Sequence, residues 1–340
     1  MRLKTLGMGR DMPQLLNEKQ LLDLLINAID QSGWQAIAVN ARKPFRIRAY
    51  REDSQGIDLC VYIWNCTHGG GAARAKDEFR VQLTSTVPSA QPGATTLLLG
   101  WHSGYGVFVG FDLTKHSGQA SQSPSIQVKE ETLRGAHVHA FAIHMRQNGE
   151  YAVAFRPEFL IDYALSAVSL HATGKAAADM SLLNGLDSLT QTVIDKVTDE
   201  KRRLVLSQIV KKYRATDFRK RVLSAYDHRC AACGVQLELL DAAHIIPVAA
   251  DMSTDETKNG IALCKLHHAA YDRNLISFDE NYTIQVSVAQ QSRLKTLNLA
   301  GGLAEFEKFL KPVISLPTDR RDYPPAAYIR EARRIRKWVG

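Results

Sequence analysis

The chain has 340 residues, a formal net charge of +8 and 45% hydrophobic residues. A single hydrophobic core rarely grows past roughly 250–300 residues, so this length predicts two domains. The composition is that of a folded globular protein and excludes a disordered or low-complexity chain. No run approaches about 18 uninterrupted apolar residues, so we expect no membrane span.

The N-terminal segment and the cysteines bear on localisation. The opening residues, MRLKTLGMGRDMPQ, contain no apolar stretch of signal-peptide length, which argues against export. Five cysteines in a chain of this length do not make a disulfide scaffold. We therefore expect a cytoplasmic protein whose thiols are reduced.

Positive charge is concentrated in two segments. Ten Lys and Arg residues but only two Asp lie between Lys201 and Arg229, and five more cations lie between Arg330 and Lys337. Clusters of this density suit a polyanion such as nucleic acid, although basic helices can also serve only as a solvated surface. Charge alone leaves both interpretations open.

The first half of the chain contains mostly strand patterns. Apolar residues at helical spacing predict a helix over 14–32, and alternation over 45–50 predicts a strand with Arg46 and Arg48 on its solvent face. Asn148-Gly149 predicts a hairpin turn into EYAVAF. Further strands are predicted over 57–66, 78–84, 95–101, 105–112 and 138–145. Residues 1–165 are therefore predicted to form a strand-rich α+β domain.

Two groups of side chains in this first domain allow a functional or a structural interpretation. The aromatic residues could line a pocket for a flipped base or belong to the core. The histidines could hold a second metal or be ordinary surface and core residues. The aromatic group is Tyr62, Trp64, Trp101 and Tyr105; the histidines are His137, His139 and His144. The run Gly69-Gly70-Gly71 lacks the Gly-Lys-Ser/Thr end of a phosphate loop and predicts a flexible turn.

The chain then changes composition before a basic helix. Residues 166–200 are rich in Ala, Ser, Thr, Gly and Leu, which predicts a linker with some helix. The stretch FRKRVLSAY, capped by Thr216 or Asp217, predicts a basic helix. We place the second domain at 201–340.

Two pairs of residues in the second domain have the spacing of a zinc site. They are Cys230-x2-Cys233 and, 30 residues later, Cys264-x2-His267. Structural zinc takes four thiolate or imidazole ligands in a tetrahedron. The first pair could instead be a redox dithiol, but that motif should follow a strand; buried apolar cysteines are the other alternative. Both pairs together favour a zinc ion that staples a segment with few core residues.

A second motif overlaps the zinc ligands. His244 ends a predicted strand in AHIIP, Asn259-Gly260 marks a turn, and His268 begins a helix that puts Asp272 on the same face. In the order AHIIP, NG and LC-x2-HH, these residues resemble the HNH endonuclease family over roughly 216–317. The resemblance implies a ββα-metal fold, so we predict an α+β protein with an N-terminal recognition domain and a C-terminal zinc-stapled nuclease domain.

The resemblance also implies roles for individual residues. His244 matches the general base, Asn259 the middle Asn, and His268 a ligand of a catalytic divalent ion such as Mg²⁺. His267 stands where many relatives have a fourth zinc-binding cysteine. Many relatives carry an Asp or His metal ligand directly before the general base, whereas this chain has Ala243. We predict Asp241, on the same side of an extended strand, as the substitute ligand, with Asp272 as the alternative.

The resemblance implies a metal-dependent endonuclease of restriction type that cleaves double-stranded DNA. By architectural analogy, its first domain would recognise either an unmodified sequence or modified bases. Arg46, Arg48, Arg219 and Arg221 are candidate phosphate contacts. Cutting both strands usually takes two active sites, so we expect a homodimer. The alternatives are an RNA-directed or ligand-triggered HNH effector nuclease and a non-catalytic zinc-stapled DNA-binding module.

Overall fold

The computed structural model describes residues 15–52, 54–68, 75, 77–84, 87–117 and 124–339. The chain divides into two compact units, Met1–Val210 and Lys211–Gly340. The segment before residue 15 and the run Gly69-Gly70-Gly71 lie outside the described residues. Among the described helices, none combines the length and apolar character needed to cross a bilayer.

The first unit is built on a mixed sheet. Its helices are α1 (Glu18–Gln31), α2 (Glu130–His139), α3 (Leu160–Leu170), α4 (Lys175–Met180) and α5 (Gln191–Ile194). Its strands are β1 (Gln35–Ala38), β2 (Phe45–Arg51), β3 (Ser54–His68), β4 (Glu78–Gln82), β5 (Thr95–His102), β6 (Val107–Phe111), β7 (Ser125–Lys129), β8 (Phe141–Met145) and β9 (Tyr151–Phe155).

The main path of this sheet runs β1-β2-β3-β5-β6-β9-β8, and β4 bridges β3 to β7. β3 and β5 are parallel, and the other pairs are antiparallel. Along β2, Phe45 and Ile47 are buried while Arg46 and Arg48 are exposed, as the alternating pattern predicts. The strand-rich α+β architecture is therefore confirmed.

Helix α1 shows why the sequence signal at 14–32 was strong. Asn17 accepts a hydrogen bond from the backbone N–H of Gln20, and the Gln20 side chain accepts one from the backbone of Asn17. This capping box satisfies two amide groups that a helix start leaves without partners. Leu25 and Ile29 are fully buried, so the apolar face of α1 belongs to the core.

The predicted strand at 138–145 is wrong at its beginning. Helix α2 continues through His139, and strand β8 starts only at Phe141. Two acidic residues in the first turn of α2 favour the helix, and tertiary packing overrides the local alternation at its end. His137 and His139 therefore lie on a helix and His144 on a strand, and no metal cluster of the described residues includes them.

The segment predicted as a linker, 166–200, contains packed helices. It covers the end of α3 and all of α4 and α5, and it belongs to the first unit. Met180, Leu183, Leu186 and Ile194 are buried there. A segment rich in small residues can form either a flexible linker or closely packed helices, and composition alone does not distinguish the two.

The aromatic side chains considered for a base pocket are mostly core residues. Tyr62, Trp64 and Trp101 are at most 8% exposed. The indole N–H of Trp64 donates to the carbonyl of Thr84. Their burial explains their position without a ligand, as expected for large apolar rings on central strands.

The second unit is smaller and has short strands. The division between the units falls within α6 (Glu200–Ala225). The following strands are β10 (Leu240–His244), β11 (Gly260–Cys264), β12 (Ile276–Phe278) and β13 (Ile284–Val286). The following helices are α7 (Lys265–Asp272), α8 (Val288–Thr296), α9 (Leu303–Lys308) and α10 (Ala326–Ile335). Its core gathers around β10 and β11 and includes Phe218, Val222 and Ile261.

Candidate active site

The site is built on one antiparallel hairpin and one helix. β10 pairs with β11 so that Leu240 lies opposite Cys264 and His244 opposite Gly260, and α7 follows β11 directly. A Cβ at Gly260 would lie 2.2 Å from Val222 Cγ2 on α6. Only glycine therefore allows β11 to pack this closely against the basic helix.

Four predicted zinc ligands lie together at the start of α7. Their ligand atoms all lie within 4.8 Å of one another; they belong to Cys230, Cys233, Cys264 and His267. His267 Nδ1 lies 3.2 Å from the sulfur of Cys264 and 3.6 Å from that of Cys230. A tetrahedral zinc ion with Zn–S bonds of about 2.3 Å separates its ligands by about 3.8 Å. The cluster is therefore compatible with zinc.

The electrostatics of the cluster fit a bound cation. Burial raises the pKa of the Cys233 thiol, and the adjacent Cys230 sulfur raises it further. Burial also opposes ionisation of Cys230, but hydrogen bonds from His267 and from backbone N–H groups lower its pKa on balance. Three sulfur atoms this close repel one another once ionised, and a divalent cation removes that repulsion.

His244 stands at the end of β10 against the basic helix. Its ring stacks on Phe218, with centroids 3.9 Å apart and planes 15° from parallel. Its Nε2 lies 3.1 Å from Oδ1 of Asp255. An ionised carboxylate only accepts hydrogen bonds, so Nε2 is the donor in this pair, and the neutral tautomer that fits it has its lone pair on Nδ1.

Asp255 is a site residue that the sequence did not single out. It lies in the loop between AHIIP and Asn259-Gly260, which also contains Asp251 and Glu256. Nothing in the local pattern distinguishes these three carboxylates. Arg221 holds the loop by donating to the carbonyl of Asp255 and to the hydroxyl of Thr257.

Asn259 is fully buried and shapes the same loop. Its carbonyl oxygen accepts from the N–H of Ile246 at 2.9 Å, and its amide donates to the carbonyl of Thr254 at 2.8 Å. The backbone carbonyl of Asn259 also accepts from the N–H of Ile245. These contacts fasten the chain just after His244 to the loop that carries Asp255.

His268 lies between both candidate carboxylates. Its Nδ1 is 3.9 Å from Oδ2 of Asp241, and its Nε2 is 3.3 Å from Oδ2 of Asp272. Two ligands held at about 2.1 Å by one ion can be up to about 4.2 Å apart, so each pair can share an ion. The two carboxylates face opposite ring nitrogens, so an ion shared with Asp241 would bind Nδ1 of His268 and one shared with Asp272 would bind Nε2.

Asp241 is also held by two cations. Lys265 Nζ lies 2.9 Å and Arg219 Nε 3.2 Å from its carboxylate oxygens. Burial raises the pKa of Asp241, but the pairing with Lys265, a backbone N–H bond and Arg219 lower it on balance. The carboxyl group is therefore ionised at neutral pH, as a metal ligand requires.

The four arginines predicted to contact phosphate have protein partners in the structure. Arg219 also donates to the carbonyl of Leu240, and Arg221 pairs with Asp217. In the first unit, Arg48 pairs with Asp58, and Arg46 donates to Gln91. All four side chains are at least partly exposed.

Comparison with known families gives two matches. The family model described as HNH endonuclease matches residues 230–279, which contain the hairpin, the loop and α7. The model described as Methylase-associated X1 matches residues 57–164 in the first unit. The protein therefore contains a Methylase-associated X1 domain followed along the chain by an HNH endonuclease domain. This confirms the resemblance drawn from the motif.

Comparison with whole proteins adds less. No curated protein matches the chain. A solved structure titled "Modification dependent TagI restriction endonuclease" aligns with 98% of this chain and 94% of its own, at 10% identity and a TM-score of 0.29. A superposition at that score does not establish a shared fold.

Proposed function

We propose that this protein is a restriction endonuclease that hydrolyses phosphodiester bonds of double-stranded DNA and depends on a divalent cation. The observation that carries the proposal is the HNH hairpin-and-helix, in which His244 and His268 each lie beside a carboxylate. The description of the N-terminal family as methylase-associated supports a role alongside DNA methylation. We extend the proposal to selection of modified DNA by the first unit.

In this proposal His244 is the general base. Its unprotonated Nδ1 takes a proton from the attacking water, because Nε2 is already held by Asp255. Asp255 fixes the ring and stabilises the imidazolium that forms. Asn259 acts through the loop that it fastens, since its side chain contacts Ile246 and Thr254.

Two metal sites accompany this base. Cys230, Cys233, Cys264 and His267 would hold zinc, which would fix the start of α7 and so the position of His268. His268 with Asp241 or Asp272 would hold a Mg²⁺-type ion. That ion supplies charge stabilisation at the phosphate and the leaving oxygen.

DNA binding is proposed for the exposed parts of Arg46, Arg48, Arg219 and Arg221. Each is already held by a protein partner, so each would present a positioned guanidinium to a phosphate. Cleavage of both strands usually takes two hairpin-and-helix sites, so we propose a homodimer. Sedimentation of the protein with a cleavable duplex measures this directly.

The test is digestion of a panel of unmodified and modified plasmids and of RNA, with Mg²⁺ or with EDTA. We expect Mg²⁺-dependent cleavage by the wild type and none by His244→Ala, whose DNA affinity and zinc content should match the wild type. Equal cleavage by His244→Ala would overturn the assignment of the general base. DNA binding without cleavage of any plasmid would favour the non-catalytic module, and cleavage of RNA alone would favour the effector nuclease.

A further inference from the structure

A side chain at the end of the last described helix reaches the nuclease site. Arg336 is the C-cap of α10, and its side chain is only 12% exposed. Its guanidinium donates to the backbone carbonyl of His244 at 3.2 Å and to that of Ile245. The match to the HNH endonuclease model ends at residue 279, so Arg336 lies outside the matched region although its two carbonyl partners lie inside it.

The same guanidinium also contacts the helix on the other side of the site. It lies 4.4 Å from the ring centroid of Tyr271 and 4.0 Å from the carboxylate of Asp272. Both residues are on α7, which carries His268. Arg336 thus touches both the end of β10 and helix α7. Tyr271 also joins them, because its hydroxyl donates to the carbonyl of Ile245.

The chemistry of this contact is specific to arginine. A planar guanidinium can donate to two neighbouring carbonyls while its face lies on an aromatic ring. A lysine ammonium is a compact charge and cannot do both. The carbonyls concerned belong to the residues at and just after the end of β10, where ladder hydrogen bonds stop.

We propose that Arg336 is a positioning residue for cleavage, which fixes His244 relative to His268. The inference rests on the proposed role of His244 as the general base. Misplacement of a catalytic group by about 1 Å can lower a rate by about 100-fold, so a fixed strand end matters to turnover. The C-terminal helix is in this view a working part of the nuclease domain.

Arg334 provides a matched control on the same helix. Its side chain is 73% exposed and pairs only locally with Glu331. Arg334→Ala removes the same charge from α10 without touching the site, so it reports any general electrostatic effect on DNA binding. A stability comparison and a zinc assay establish that each variant is folded.

The kinetic experiment separates positioning from charge. We expect Arg336→Ala to lower kcat by about 10-fold or more while its KM for DNA stays close to that of Arg334→Ala. Arg336→Lys should not restore kcat, whereas added guanidinium ion should partly restore Arg336→Ala. Equal kinetics for Arg336→Ala and Arg334→Ala, or full recovery with lysine, would overturn the proposal.

A second measurement does not depend on cleavage. Stacking on Phe218 should shift the ring protons of His244 upfield in the nuclear magnetic resonance spectrum. We expect Arg336→Ala to move these resonances towards those of an unstacked histidine and Arg334→Ala to leave them in place. Unmoved resonances in Arg336→Ala would contradict positioning by Arg336. If they move but the wild type cleaves no nucleic acid, the proposed function fails and the positioning contact stands.

Discussion

The two units of this protein are stabilised in different ways. The first has an extended sheet whose core includes stacked aromatic rings such as Phe141, Phe155 and Tyr163. The second relies on paired strands of three to five residues, which are marginal by themselves. Stability of the first unit is therefore spread over many contacts, whereas in the second we expect a metal held by the Cys3His cluster to contribute a large share.

Removal of a metal from the Cys3His cluster should have the largest effect on stability, and that effect should be confined to the second unit. We expect Cys264→Ser, or a strong chelator, to unfold the second unit, because structural zinc contributes about 10–16 kcal/mol in zinc-finger peptides. Hydrogen exchange resolved by peptide should show lost protection in β10, β11 and α7 and unchanged protection in β3 and β5. Cys60→Ala, which removes a buried thiol of the first unit, is the control and should leave protection in β10, β11 and α7 at the wild-type level before chelation. Equal protection of both units after chelation would contradict the claim that the second unit depends on a metal more than the first.

The first unit contains a buried ionic group whose contribution to stability can be compared with that of the metal cluster in the second unit. Glu150 is fully buried and pairs with His116 and Arg146. Burial raises its pKa, but the bonds from His116, Arg146 and Asn148 lower it on balance. The ionised form is thus favoured by folding, and its stabilisation is present at neutral pH and is lost as the pH falls through the lowered pKa.

We therefore expect Glu150→Gln to destabilise the first unit by about 3 kcal/mol at pH 7, because it leaves the largely buried Arg146 guanidinium without its counter-charge. The difference from wild type should shrink as the pH is lowered below the usual range of a glutamate. Thermal unfolding of both proteins across pH measures this. A difference that grew with acid would show that the carboxylate is not the stabilising form.

The smallest effect is expected on activity alone, within the nuclease unit. Asp255→Asn should lower kcat by about 10- to 100-fold, since it removes the charge that orients and stabilises the His244 ring. Asp251→Asn, in the same loop and exposed, should change kcat little. Neither substitution should alter zinc content or unfolding temperature by much. Equal kcat values for the two variants would show that Asp255 does not support His244 in cleavage.

Local sequence patterns predicted those elements that depend only on residues close together in the sequence. The apolar spacing of α1, the alternation in β2 and the two zinc ligand pairs are each read within a short segment, where backbone periodicity and ligand spacing decide the outcome. The motif from AHIIP to LC-x2-HH likewise predicted a hairpin and a helix before any coordinates. β10 ends at His244 as predicted, but α7 begins at Lys265, three residues before the predicted start at His268.

The sequence by itself thus determined the class of the second domain and the residues that surround its two histidines. Only the tertiary structure decided that Asp255 rather than Asp251 or Glu256 pairs with His244, and that Arg336 reaches the site from 92 residues away. It also decided that residues 166–200 pack as helices and that α2 continues through His139. The reason is physical: these outcomes depend on burial and on contacts between distant segments, which local propensity does not contain.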